Sequence, residues 1–274
     1  MKGMIPAVNN APTISFVVEQ PGNLVDLLAA GTGLPKVRIK DAMTKGAVWL
    51  RKAGYKDERR QRRAKCVVRP GDHIALYYDA TLLALPASDA QCVHAQREYS
   101  VWDKPAGVLA QGTRFGDHRA LTRQVEQAHG GAFPVHRLDR EARGLMLVAH
   151  TPKAAALLSQ RFQQNRVEKR YRVEVLGVPA AAEDRIVTPL DGKPAESHYR
   201  QIDTTERGAI LNVEIISGRL HQIRRHLDGI GHPVLGDPRY GHGNADPRGL
   251  QLVAEFLAFD CPWQKRRVEF RVTP

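Results

Sequence analysis

A chain of 274 residues with a formal net charge of +12 and an isoelectric point near 9.9 is long enough to bury a large core and divide into two domains. It is also basic enough to attract polyanions, either nucleic acid or an anionic membrane surface. No apolar run approaches the roughly 18 residues of a membrane-spanning helix, and "MKGMIPAVNNAPT" lacks the apolar core of a secretion signal. Cys66, Cys92 and Cys261 are few, odd in number and far apart, which argues against a disulfide framework or a metal site and fits free thiols in a reducing cytoplasm.

Residues 1–80 hold 14 Lys/Arg against 7 Asp/Glu, so more than half of the net charge sits in under a third of the chain. Within them, "NLVDLLAAGTGLPKVRIKDAMTKGAVWL" reads as two short helices and a strand. Asn23 is the expected N-cap of the first helix, Gly31 and Gly33 end it, and Pro35 opens the second. Lys36, Lys40 and Lys45 lie at spacings that share one side of that helix. "VVRPGDHIALYY" reads as strand, turn and strand around Pro70-Gly71-Asp72. Between them, "DERRQRRAK" carries Arg59, Arg60, Arg62, Arg63 and Lys65. A charge run of this kind is usually a solvated loop; beside a basic helix in a small unit, phosphate contact is the better expectation. The pattern over about residues 22–80 resembles the alpha-L RNA-binding module shared with a ribosomal small-subunit protein.

Residues 83–96 read as a connector. From Tyr99 the texture changes: "EYSVWDKPAGVLAQG" predicts a strand, a Lys104-Pro105-Ala106-Gly107 turn and a second strand. "RALTRQVEQAHG" predicts an amphipathic helix closed by Gly130, and "LMLVA" a buried strand. Thr151 and Pro152 read as N-cap and first residue of a helix whose Ala154, Leu157, Leu158 and Phe162 form an apolar stripe. "RYRVEVLG" and "GAILNVEIIS" alternate as strands, and "LHQIRRHLDGIG" predicts a helix with Ile223, Leu227 and Ile230 inward. Strands and helices in mixed order with short turns favour α+β over a doubly wound parallel fold.

Three segments bring chemistry to this frame. In "HRLD", Asp139 sits in a turn after an alternating stretch, where the ordinary fate of an aspartate is to bond nearby amides. Tyr171 shares a strand face with Val173 and Val175 and by itself reads as a core tyrosine. Arg219 stands at the start of a helix, where a cation is unfavourable unless an anion is near.

Taken in order, "HRLDREARGLMLVAH", "EKRYRVEVLG" and "SGRLHQIRRHLDGIGHPVLGDPRYG" resemble the three motifs of the RluA-type pseudouridine synthases, over about residues 97–274. His136 favours this type over the related small-subunit rRNA type, where glycine is usual. The resemblance implies isomerisation of uridine in structured RNA, rRNA ahead of tRNA, in the cytoplasm, with no cofactor, no metal and no obligatory protein partner. It implies a fold of mixed, mainly antiparallel sheet with flanking helices over 97–274, joined to the small basic α/β domain over 1–82. By the same resemblance Asp139 is the catalytic carboxylate, acting as nucleophile or as base in a glycal route. Arg219 is its ion-pair partner, lowering a pKa that burial alone would raise. Tyr171 stacks on the pyrimidine and assists loss of the C5 proton. Arg137 props the space left by the flipped nucleotide or binds backbone, and His136 is positional. Arg140, Lys169, Gln222 and Arg224 complete the expected substrate contacts, with Lys36, Lys40, Arg62 and Arg63 on the basic domain. Two departures stand out: Ala142-Arg143 occupies the place of a Thr/Ser-Ser pair, and Val253 that of a histidine.

Two rivals are weaker. A metal hydrolase built on His136, Asp139, His221, His226 and His232 would need His221 and His226 on one helix face, but five residues separate them by roughly 140°. A non-catalytic RNA-binding or ribosome-assembly protein accounts for the basic domain and leaves the three motifs unexplained.

Overall fold

Asn23 starts the first helix: its side-chain oxygen accepts the Val25 N–H at 2.9 Å, satisfying one of the amides that a helix start leaves unpaired. The structure, a computed structural model, describes residues 13–273. The N-terminal stretch that lacks a secretion signal's apolar core lies, but for Thr13, outside the described residues. The chain begins with β1 (Thr13–Val17), β2 (Gly22–Asn23), α1 (Leu24–Thr32), α2 (Lys36–Thr44) and β3 (Val48–Arg51). It continues with β4 (Arg59–Arg60), β5 (Val67–Val68), β6 (His73–Tyr77) and α3 (Ala80–Ala84). Gly33 closes α1 at φ 71°, a conformation that costs glycine nothing.

Residues up to Ser88, together with Gln111–Arg123, form one compact unit. Leu24 and Leu28 on α1, and Ile39 and Met43 on α2, recur at i and i+4 and are fully buried against Ile74 and Leu76 of β6. The sheet order is β1-β6-β3-β4, with β2 and β5 as a separate pair. Both strands expected around Pro70-Gly71-Asp72 form, but they pair with different partners: β5 with β2, and β6 with β1 and β3. Asp72 explains this. Its buried carboxylate accepts from Lys52 Nζ, Ala53 N and Arg69 N, which ties the turn to the end of β3.

The basic run is not wholly a solvated loop in this unit. Arg60 lies over the Trp49 ring at 4.3 Å and donates to Gly46 O and Thr113 O. Arg62 donates to Thr44 O and to the Asp117 carboxylate. Arg62, expected to hold phosphate, is engaged within the unit: it shares with Arg60 the single carboxylate of Asp117, supplied by the 111–123 segment. Lys40 and Arg63 are exposed, and Lys36 is exposed in a 2.7 Å pair with Asp26.

The chain continues with β7 (Gln91–Ala95), β8 (Tyr99–Lys104), α4 (Leu121–His129), β9 (Phe133–Pro134), β10 (Arg143–Ala149) and α5 (Pro152–Gln163). Then come β11 (Val167–Leu176), β12 (Glu183–Ile186), β13 (Ser197–Thr205), β14 (Gly208–Ile215), α6 (Gln222–Gly229), β15 (Leu252–Cys261) and β16 (Arg266–Arg271). Asp89–Ala110 and the residues from Gln124 onward make the second unit. Its ten-stranded sheet runs β12-β13-β14-β11-β15-β10-β8-β7, with β16 added to β15 and β9 to β10. Among these pairs only β10 and β15 run parallel. β7 occupies part of the segment read as a connector. Thr151 caps α5 as expected, and Leu158 of α5 packs with Leu147, Val167 and Phe259 in a buried cluster.

Two local expectations are corrected. No strand follows the Lys104-Pro105-Ala106-Gly107 turn. The fully buried Lys104 ammonium collects the carbonyls of Pro105, Val108 and Ala142 at 3.1, 2.9 and 2.7 Å, so the chain folds around a cation. Ile230, expected inward, lies just past the end of α6 and is 38% exposed.

β15 creates the mouth of the sheet. One side of it pairs with β11; the other is shared by β10 at Val253–Ala254 and β16 from Phe256 on. Ala254 lies opposite both Gly144 and Tyr171, so the loop entering β10 and the middle of β11 meet at one level. A Cβ on Gly144 would stand 2.4 Å from Ala254 O, which makes glycine obligatory for this approach.

Candidate active site

The loop entering β10 carries Asp139, β11 carries Tyr171, and α6 supplies the cation. Arg224 Nη1 donates to Asp139 Oδ2 at 3.0 Å. The rest of its guanidinium is clamped by Asp237, Nε to Oδ2 at 2.6 Å and Nη2 to Oδ1 at 2.7 Å. Asp237 Oδ1 also accepts the Arg239 and Tyr240 amides. Burial would disfavour the Arg224 charge, but the two carboxylates outweigh it and push its pKa up. The second Asp139 oxygen faces His221 Nε2 at 3.7 Å.

A cavity of about 750 Å³ opens on this pair, within the range of ligand sites. Tyr171, Phe162, Ile215 and Leu252 give it apolar walls, and Arg137, Lys169 and Arg219 bring cations to it. Burial, reinforced by the Asp139 charge, pushes the Tyr171 phenol up, so it stays protonated at neutral pH. Burial pulls Lys169 down against the opposing charge of Glu214.

Several expected roles change. Arg219 lines the cavity, but its Nε donates to Pro194 O at 3.1 Å, and the ion pair to Asp139 belongs to Arg224. The reason is helical: a side chain in a first turn leans back toward the helix N-terminus, where Asp139 stands, while Arg219 precedes the helix. Arg224, expected as a substrate contact, is 1% exposed and fully engaged. Gln222, likewise expected to touch substrate, lines the cavity and is also a clamp within the fold. Its oxygen accepts from Ser217 Oγ and Arg219 N, and its nitrogen donates to Glu196 O and Ser197 Oγ. Arg140 is exposed, pairs with Glu141 and does not line the cavity.

His136 lines the cavity from beneath. Its Nε2 accepts the Leu147 N–H at 2.9 Å and its ring stacks on Phe162 at 4.7 Å. Burial first, then the Lys169 charge, pushes its imidazole down to about 3, so it is neutral and holds the loop to β10. Sequence reasoning missed Asp237, Tyr240 and Lys104, and weighed His221 only as a metal ligand. The signal for the first two was present in "GDPRY", a charged turn directly after the apolar Pro233-Val234-Leu235.

Comparisons with known proteins bear on the fold and the family. Human RNA Pseudouridylate Synthase Domain Containing 1 superposes with a TM-score of 0.59 at 21% identity, over 68% of this chain and 84% of that one. The second unit's sheet thus has a pseudouridylate-synthase fold. The sequence profile of the RNA pseudouridylate synthases matches residues 98–228. Dual-specificity RNA pseudouridine synthase RluA of Salmonella typhi is 32% identical over 192 residues, 63% of this chain and 87% of the relative. Ribosomal large subunit pseudouridine synthase D of Nitrosomonas europaea is 34% identical over 171 residues, 55% of this chain. The chain covers 49% of that relative's length. The chain belongs to the RluA-type family of RNA pseudouridine synthases.

Proposed function

We propose that the protein isomerises specific uridines in structured RNA to pseudouridine, with Asp139 as the catalytic carboxylate and ribosomal RNA ahead of tRNA as substrate. The reaction breaks N1–C1′, forms C5–C1′, and moves the C5 proton off the ring as N1 gains one. Asp139 acts at C1′ as nucleophile, or removes a ribose proton in a glycal route. Both need an ionised carboxylate with an oxygen open to the cavity. The observation that carries the reading is Asp139 at the wall of a cavity it shares with Tyr171, held there by a buried arginine. The name of the Nitrosomonas relative supports ribosomal RNA, and that of the Salmonella relative gives it a dual specificity for RNA. No helix among the described residues is long and apolar enough to cross a membrane; action in the cytoplasm, without cofactor or obligatory protein partner, is part of the proposal. The exposed cations of the first unit, Lys36, Lys40 and Arg63, and Arg137 at the cavity supply phosphate contacts in this reading.

RNA tritiated at uridine C5 tests it. Wild-type protein releases label to water without added metal, nucleotide or reductant. Asp139→Asn keeps the shape, loses the charge, releases none, and binds RNA within a few-fold, because phosphate contacts dominate affinity. Release by Asp139→Asn at the wild-type rate sinks the assignment; failure of the wild type on every cellular RNA leaves a binding protein.

A further inference from the structure

His221 holds a backbone conformation that its residue type rarely adopts. Its φ is 52° and ψ 31°, at the residue preceding α6, and its side chain makes no cap hydrogen bond there. Such strain persists where the surrounding structure requires the resulting direction. Here the direction is into the cavity, toward Asp139.

The ring is fixed at both nitrogens. Nε2 is 3.7 Å from Asp139 Oδ1, the oxygen that Arg224 leaves open. Nδ1 is 3.0 Å from the Tyr240 hydroxyl, and the two rings meet edge to face with centroids 5.7 Å apart. Tyr240 is itself held: its N–H donates to Asp237 Oδ1, its carbonyl accepts from Asn244 Nδ2, and the Arg224 guanidinium lies 5.2 Å over its ring. A carboxylate only accepts, so the imidazole nitrogen facing it carries the proton. The other nitrogen is then an acceptor, which the Tyr240 hydroxyl satisfies. The charges facing the ring are Asp139 and Asp237 on one side of the balance and Arg224 and Arg239 on the other. Burial outweighs them and pulls the imidazole down, so it is neutral at pH 7.

We propose that His221, oriented by Tyr240, is a positioning residue that sets the rotation of the Asp139 carboxylate, with Arg224 holding Oδ2 and the Nε2–H of His221 directing Oδ1. The proposal rests on Asp139 being the catalytic carboxylate. The terminal torsion of an aspartate is broad and two-fold, so one contact at Oδ2 leaves it loosely defined. Attack at C1′ and proton abstraction both require one oxygen aimed, and small misplacements at a reacting centre are expensive in rate. A gap of 3.7 Å is long for a hydrogen bond, and such contacts shorten when substrate displaces water. Neutrality matters as well: an imidazolium would set a full positive charge against Oδ1 and make the carboxylate a weaker nucleophile and base.

Single-turnover tritium release and RNA affinity of the full chain decide the matter, in His221→Asn, His221→Gln and Tyr240→Phe. Asparagine tolerates the left-handed backbone but its amide stops short of Oδ1; glutamine reaches it. His221→Asn is expected to be slower by roughly 10–100-fold, the scale of a misplaced reacting group, with RNA affinity within about twofold. His221→Gln should recover most of that loss. Tyr240→Phe should be slower by a few-fold in the wild type, and neutral in the His221→Gln background. Equal rates for the Asn and Gln variants, or a loss confined to RNA affinity, overturn the proposal. Nitrogen-15 NMR of the imidazole gives a readout independent of turnover. A neutral ring protonated on Nε2 at pH 7, shifting toward Nδ1 in Asp139→Asn, supports the proposal. An Nδ1–H form or an imidazolium in the wild type overturns it. A wild type that releases no tritium refutes the activity alone, and the NMR result still judges the contact.

Discussion

Arg224 and Asp139 are 85 residues apart in sequence and 3.0 Å apart in space, and Arg224 reaches Asp139 with the one guanidinium edge that Asp237 leaves free. The carboxylate at the mouth of the sheet is thereby fixed by a cation that is itself immobile. A lysine cannot reproduce this, because a single ammonium cannot clamp one carboxylate bidentately while reaching a second.

The first prediction separates the two arginines. Arg224→Met leaves two carboxylates without their counter-charge, one of them fully buried, and should lower stability by about 3–5 kcal/mol. Arg224→Lys should recover little of it. Arg219→Met should change stability by less than about 1 kcal/mol, since its guanidinium is held by an exposed bond to a carbonyl. Urea titration of the three variants checks this, and equal losses for Arg219→Met and Arg224→Met would return the ion pair to Arg219.

Lys104 gives the second. Its ammonium bridges the chain after β8 to the carbonyl of Ala142, three residues beyond Asp139. Burial pulls its pKa down to about 8 against the charges of Asp139, Glu141 and Asp103. Lys104→Met should strand those carbonyls and cost about 2–4 kcal/mol. It should also slow tritium release beyond what RNA affinity explains, because the Asp139 loop loses its floor. Unchanged turnover in a folded Lys104→Met protein would confine the ammonium to a stabilising role.

His136 sets a pH dependence. Its folded imidazole titrates near 3 against an ordinary value of 6.5. Between those values the unfolded chain takes a proton that the folded chain refuses, so this contribution is complete above pH 6.5 and declines as pH falls toward 3. The decline amounts to about 3–5 kcal/mol. His136→Gln keeps an acceptor for Leu147 N–H without a titrating group. Its stability should fall less steeply than that of the wild type between pH 6 and 4 when the two are melted in parallel; parallel curves would mean that His136 is hydrated.

The fourth concerns the basic run. Arg62→Glu sets a carboxylate against Asp117 and should destabilise the first unit. Arg63→Glu removes an exposed cation and should leave the melt unchanged. It should weaken RNA binding and reduce the log–log salt slope by roughly 0.7–0.9 for each phosphate that is no longer neutralised. Salt titrations beside thermal melts distinguish the two, and an unchanged slope for Arg63→Glu removes that residue from the RNA surface.

Local chemistry was legible in the sequence. Asn23 and Thr151 cap the helices they were expected to cap, since capping depends on residues within three positions. The α+β class followed from the order of periods along the chain. The arginine that meets Asp139 was not legible. Arg219, Arg224 and Arg225 stand close together, and the choice among them depends on where Asp237 returns from beyond the helix and on the backward lean of helical side chains. Arg225 goes instead to the exposed Asp191.

Long-range electrostatics was equally hidden. "KPAGV" reads as a hairpin until one knows that Lys104 is buried among carbonyls drawn from a loop more than thirty residues away. Arg62 reads as a phosphate ligand until Asp117 arrives beside it. In both cases the partner of a charge lay outside any local window.

The first unit is made from two stretches, and this constrains how such a protein can be cut and joined. A chimera with a single junction near Ser88 would import α1, α2, Arg60 and Arg62 but leave behind the 111–123 segment whose Asp117 these two arginines hold. The recipient would receive a basic fragment with an unmatched cation pair, in place of a finished module. Two insertions, made together, are the minimum transplant, because the unit is an interlocked set of two stretches.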